Sequence, residues 1–165
     1  GGAMSSANDE IYSLLVPLNQ KRLILPRACV AEVIRYAPLQ ATDSAHPDWL
    51  RGMISWNGRH IPVISFEELA GLTPGEIGGR TRVAIIASIT GRLSAGHFGV
   101  LTEGFPQLVR VNREVIQPAV SYPWPEHGPV ICQIRMINEY PLIPDIEAIE
   151  DMLEEAAKPG PVPLS

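Results

Sequence analysis

Apolar residues in this chain recur in short alternating or continuous runs, separated by Gly-, Pro- and Asn-containing breaks. That pattern predicts β-strands rather than helices. Ile11–Leu18 reads as a strand turned at Asn19-Gln20-Lys21, with Arg22–Leu25 as its hairpin partner. Pro26 interrupts, and Cys29–Tyr36 resumes with β-branched residues. A polar connector, Pro38 to Pro47, leads to two apolar runs, Gly52–Trp56 and Ile61–Phe66, on either side of Asn57-Gly58. Asn-Gly between β-prone segments predicts a type I′ hairpin, because both turn residues need φ > 0. Glu67-Glu68 then begins a helical turn, and Gly71–Gly79 is a loop. Thr81–Ile89, Gly96–Gly104, Leu108–Val111 and Val115–Ile116 continue the series of strands. Pro118, Pro123, Pro125 and Pro129 punctuate an irregular stretch. Val130–Ile137 and Tyr140–Ile143 form a second hairpin around Asn138-Glu139. Only the last segment has helical spacing: Asp145 is a good N-cap, and Ile146, Ile149 and Leu153 share one face of a helix over Ile146–Ala157.

The two hairpins repeat each other. A shift of 80 residues lays Ile54 on Ile134, Trp56 on Met136, Gly58 on Asn138, Val63 on Ile143 and Phe66 on Ile146. Gly and Asn both tolerate left-handed backbone, so the turn position is chemically matched. A weaker echo relates Leu15–Leu23 to Ile85–Leu93, with Arg22 and Arg92 in register. Two similar small β units therefore share one chain. Short strands at turn-punctuated spacing point to barrels, which also avoid exposed sheet edges.

Composition narrows the function classes. The net charge of −5 comes from the C-terminal stretch: without Asp145, Glu147, Glu150, Asp151, Glu154 and Glu155, it becomes +1. A nearly neutral body has no basic stripe for nucleic acid, and the acidic cluster reads as a solvated helix face. No apolar run is long enough to span a bilayer, and no secretory pattern is visible. Gly1-Gly2-Ala3 ahead of Met4 reads as a tag remnant, and residues 159–165 as a proline-rich disordered tail. Cys29 and Cys132 sit in apolar contexts without C-x-x-C spacing, as small buried hydrophobes of a reduced cytoplasmic protein; whether they lie near each other stays open. His46, His60, His97 and His127 are scattered, so neither a metal nor a cofactor is expected. Nucleophile and P-loop motifs are absent, so no catalytic residues are assigned and an enzyme is not expected.

Four segments together resemble the CheW family of bacterial chemotaxis coupling proteins. Leu25–Val33 resembles the family's V-x-E-I segment, and the hairpin at Asn57-Gly58 its G-x-x-N-L-R-G-x-x-x-P-V-x-D-L. Gly99–Phe105 resembles G-x-x-V-D-x-V, and Ile134–Leu153 the final strand pair and helix. The resemblance implies an all-β fold with a short C-terminal helix: two intertwined five-stranded SH3-like barrels within one domain over residues 11–153. The first barrel is expected at about 19–70 and the second at about 80–137, with the terminal segments packing across.

The implied function is a scaffold that couples the cytoplasmic tip of a chemoreceptor to the regulatory domain of a CheA-type histidine kinase. It implies a cytoplasmic protein recruited to membrane-associated receptor arrays, without direct membrane insertion. Val30, Glu32, Trp56, Asn57 and Gly58 become the partner-binding candidates, with Gly58 and Pro62 as structural turn residues. Glu32 as an exposed strand carboxylate, and Val30 and Trp56 as barrel core, are the plainer readings. The chain departs from the family at its turn. Ser55-Trp56-Asn57-Gly58 replaces Asn-Leu-Arg-Gly, so the arginine able to pair with Glu32 is missing. That departure implies a divergent member, serving type IV pili or another non-flagellar output. The alternative is a small-barrel module that binds another peptide or a small ligand.

Overall fold

The structure, a computed structural model, describes residues 10–42, 45–112, 117–119, 123–136 and 138–158. The expected strand at Val115–Ile116, the remnant at residues 1–3 and the tail at 159–165 lie outside these. In order along the described chain come β1 (Ile11–Pro17), β2 (Arg22–Pro26), a 3-10 turn (Arg27–Cys29), β3 (Val30–Arg35), β4 (Leu50–Trp56), β5 (Arg59–Ile64) and α1 (Phe66–Leu69). Then follow β6 (Arg82–Ala87), β7 (His97–Thr102), β8 (Gln107–Val111), β9 (Gln117–Pro118), β10 (Val130–Arg135), β11 (Leu142–Pro144) and α2 (Ile146–Ala157). The sequence reading misses β9 and starts β11 two residues early. Pro141 explains the late start: its carbonyl accepts from Ile134 N at 3.0 Å, but it has no N–H to return the bond.

The strands form two sheets, β8-β1-β2-β11-β10-β9 and β3-β6-β7-β5-β4. The all-β plan with a C-terminal helix is as expected. The sheets, however, are curled rather than closed, and β9 extends the first beyond five strands. Leaving β9 aside, the two orders correspond position by position. Each contains one parallel pair at the same place, β11 with β2 and β5 with β7. Register shifts also recur at equivalent sites, Leu50/Gly52 in β4 and Val130/Cys132 in β10.

Sheet membership corrects the expected division at 19–70 and 80–137. The second sheet takes residues 30 to 102, and the first is built from 11–26 and 107–144. Each repeat, β1–β5 with α1 and β6–β11 with α2, contributes its first hairpin to the other repeat's sheet. The parallel pairs are where these exchanged hairpins join. A sequential cut through the repeat therefore cannot separate the sheets.

Alternation along the strands yields three apolar clusters. Ile61, Val63, Val83, Ile85 and Leu101 fill the inside of the second sheet, with Ile34, Ile54 and Trp56 around them. Leu15, Ile24, Val111 and Ile134 do the same in the first. Between the sheets, Val16, Leu23, Ile64, Ile86, Phe98 and Leu142 meet Phe66 of α1 and Ile149 and Leu153 of α2. Each large side chain buried there contributes roughly 1.5–3 kcal/mol relative to exposure.

Both helices begin on side-chain caps. The hydroxyl of Ser65 accepts from Glu68 N at 3.2 Å, and the carboxylate of Asp145 accepts from Ala148 N at 3.0 Å. Each helix also reaches back to its own repeat's first turn through a buried glutamate. Glu67 accepts from Asn19 N at 3.2 Å in the β1–β2 turn. Glu150 accepts from Ile89 N at 2.9 Å, Thr90 N at 3.3 Å, Thr90 Oγ1 at 2.8 Å and the Ser88 hydroxyl. The solvated-face reading of the acidic cluster thus fails at Glu150, which is 0 % exposed. Glu150 lies four residues after Ile146 and three before Leu153, on the buried stripe of the helix.

Candidate functional site

The Asn57-Gly58 turn adopts the predicted conformation, with φ of 51° and 76°. A Cβ at Gly58 would meet nothing within 4 Å, so the left-handed backbone, not crowding, is what favours glycine. Next to this turn, at the end of β4, the Trp56 Nε1–H donates to the Glu32 carboxylate on β3 at 2.7 Å. These strands are the two outer edges of the second sheet, so the bond spans the mouth of the curl. A second tie lies deeper, where Gln40 and Met53 exchange backbone hydrogen bonds of 2.9 Å each.

Two residue choices make that second tie possible. Gly52 has φ +151, and a Cβ there would sit 2.7 Å from Gln40 O and from Leu39 Cβ. Pro62 faces Met53, whose N–H and C=O both turn away to Gln40. A proline there forfeits no bond to β4.

A register shift decides which β3 side chains reach the rim. Val30 pairs with Ile86 and Glu32 with Ile85, with the irregularity between them. Ile86 belongs to the central core and Ile85 to the inner cluster, so Val30 and Glu32 face opposite sides. The structure thus brings Glu32, Trp56, Asn57 and Gly58 together at one rim and sends Val30 against the central core.

Two further residues complete the rim. His97, opening β7, stacks on Trp56 with ring centroids 4.7 Å apart and planes tilted by 56°. Arg59 pairs directly across from Trp56, and its Nη1 lies 3.0 Å from where a Cβ on Gly96 would sit. Arg59 was legible, since a two-residue turn at Asn57-Gly58 makes Trp56 and Arg59 partners. His97 arrives from 41 positions along the chain with no local signal.

The missing arginine has a structural answer. Glu32 keeps a donor, supplied by the neutral indole of Trp56 rather than by a guanidinium at position 57. Positive charge returns two residues later, at Arg59. The rim therefore offers a carboxylate, an indole, an imidazole and a guanidinium to a partner.

Two open clefts flank the hairpin tips at equivalent places in the two repeats. One, about 610 Å³, lies between the β1–β2 turn and the β10–β11 tip and mixes Lys21, Arg22 and Arg80 with Glu103 and Glu139. The other, about 650 Å³, lies between the β6–β7 loop and the β4–β5 tip and is backed by α2. Cys29 packs on the central core and Cys132 in the first sheet; both thiols are free, and burial pushes both upward in pKa. Among the described residues, no group of three or more His, Cys, Asp or Glu could hold a metal ion. No helix there is long and apolar enough to cross a membrane.

A model of the CheW-like domain family matches residues 13–153. Among solved structures, the scaffolding protein TtCheW from Thermoanaerobacter tengcongensis is similar, with a TM-score of 0.69 and 14 % identity. The match covers 88 % of this chain and 91 % of that one. At that identity the likeness speaks for the fold. No curated protein matches.

Proposed function

The chain belongs to the CheW-like domain family, a family of non-enzymatic chemotaxis scaffolds, and from that premise we propose that it couples chemoreceptors to a CheA-type histidine kinase. The observation that carries this reading is the family match over residues 13–153, which takes in both sheets and most of α2. In this reading the rim formed by Glu32, Trp56, Asn57 and Gly58 is the partner-binding surface. Its Trp is a large anchor with one polar atom, and the Glu32 carboxylate that holds the indole fixes its orientation. Val30, on the opposite side of β3, packs against the central core, and an apolar helical receptor tip would lie along the outer groove beside it. The protein then works in the cytoplasm, at receptor arrays that it joins through its partners.

The turn sequence supports a divergent member with a non-flagellar output, such as type IV pili. The Trp56 indole donates to Glu32 without bringing a positive charge, whereas an arginine at position 57 would add one beside it. Asn57→Arg should therefore change receptor-dependent kinase activity several-fold while shifting the melting temperature little. Kinase assays with reconstituted receptor, alongside thermal melts, test this. Unchanged activity with a large melting shift would contradict it.

A further inference from the structure

One polar atom of the rim is buried without a partner. The His97 ring lies against the Trp56 indole, with centroids 4.7 Å apart, and its Nδ1 has no hydrogen-bond partner among the described residues. The strands explain this place. His97 opens β7 opposite Ala87 of β6, and Leu101, four residues on, belongs to the inner apolar cluster. The imidazole therefore stands at the mouth end of that cluster, beside Trp56. Two charged groups adjoin it on the same face. Glu32 of β3 accepts from the indole at 2.7 Å, and Arg59 of β5 has its Nη1 3.0 Å from where a Cβ on Gly96 would sit. The inner-face positions of β4 and β6, Ile54, Trp56, Ile85 and Ala87, carry no ionisable group. His60 lies on the other face of β5, and Arg92 of the β6–β7 loop is paired with Asp151 and Glu154.

A neutral imidazole can carry its proton on Nε2 and leave Nδ1 as a bare acceptor, the lesser cost in a buried place. An imidazolium donates from both nitrogens. A charged N–H held at Nδ1 without an acceptor costs more than contact with an indole face returns. Arg59 repels the added charge, and Glu32, which would attract it, is engaged by the indole N–H. We propose that His97 is the pH-sensitive positioning residue of the rim. Neutral, it packs against the Trp56 ring and keeps it in the orientation that Glu32 fixes. Protonated, it turns outward to bring Nδ1–H to water, and the indole loses the surface it rests on. Imidazoles change charge between about pH 5 and 8, so the anchor of the rim loosens across that range as pH falls. The consequence for partners, weaker binding at the lower pH, rests on the coupling reading above.

The test is an NMR titration of the full chain between about pH 5 and 8, following the Trp56 indole N–H and the histidine ring C–H signals. The indole signal should move with the same midpoint as the His97 ring. His97→Phe keeps a flat ring against Trp56 and cannot titrate, so the indole signal should then stay still; the spectrum of the variant also reports that it is folded. His60→Gln should leave the movement as in the parent. A stationary indole signal in the parent, or a movement that persists in His97→Phe, would overturn the proposal. Calorimetry with the regulatory domain of a cognate kinase reads the consequence. The parent should bind at least about fivefold more weakly near pH 6 than near pH 8, and His97→Phe should lack that loss. An equal pH effect in parent and variant would overturn the proposal as well. No binding by the parent at either pH would contradict the coupling reading instead, and the indole titration, which needs no partner, would still decide the role of His97.

Discussion

The two curled sheets share a plan and differ at their rims. Leu15 and Ile85 occupy equivalent inner positions, and the residues paired with them are Gln107 and Glu32. At the ends of the matching strands stand Met136 and Trp56. In the second sheet, Glu32 and Trp56 bond across the mouth and Gln40 ties in beneath them. In the first sheet, Gln107 and Met136 offer no such charged pair, and β9 pairs with β10 instead. The helices diverge as well, four residues in α1 against twelve in α2. Duplication accounts for the backbone, and substitution at a few rim positions accounts for the chemistry. In the proposed reading, the second sheet's rim is the binding surface and the first sheet keeps the same backbone geometry without its charged pair.

The largest break in this comparison is at the glutamate clasps. Glu150→Ala removes a buried carboxylate and leaves two backbone N–H groups and two hydroxyls of a half-buried turn without their acceptor. It should cost about 3 kcal/mol, read from urea denaturation. A loss below about 1 kcal/mol would mean that water replaces the carboxylate.

The bulges give a sharper pair. Gly52→Ala forces a Cβ against the Gln40 carbonyl and should cost about 2 kcal/mol. The equivalent change in the other sheet, Cys132→Ala, should cost about 1 kcal/mol or less, since it only trims a half-buried side chain. Equal losses in the two variants would remove the special role of the Gln40–Met53 tie.

The smallest effect concerns Glu67, the less well satisfied clasp. Desolvation by burial raises its pKa above the ordinary carboxylate value, against the lowering effect of the Asn19 N–H. As pH rises through the carboxylate range, the unfolded chain loses this proton before the folded one does, so folded stability falls. Glu67→Gln should remove that fall, and the variant's gain over the parent should grow from pH 4 to pH 7. Thermal melts across this range check it, and a gain that shrinks with pH would be the contrary result.

Much of this was legible because the signals were local. The type I′ turn at Asn57-Gly58, the helix from Asp145, and the 80-residue repeat follow from neighbouring residues and their spacing. The exchange of hairpins between sheets was not, since parallel pairing of β2 with β11 joins segments about 120 residues apart. Nor was the facing of Val30, because a bulge reverses strand alternation without a sequence mark. Glu150 was concealed by its neighbours: a run of acidic residues looks solvated unless helical phase is traced through it. The Glu32–Trp56 bond needed the curl itself, which brings together two edges 24 residues apart.

In the proposed reading the rim at Glu32 is the partner surface and its counterpart at Gln107 is not. Calorimetry with the regulatory domain of a cognate kinase tests it directly, comparing the parent chain with Glu32→Lys and Gln107→Lys. Both substitutions are at exposed positions. The parent should bind with a dissociation constant on the order of 1 μM, Glu32→Lys should weaken binding at least about tenfold, and Gln107→Lys should leave it unchanged. No binding by the parent, or equal loss in both variants, would contradict the account.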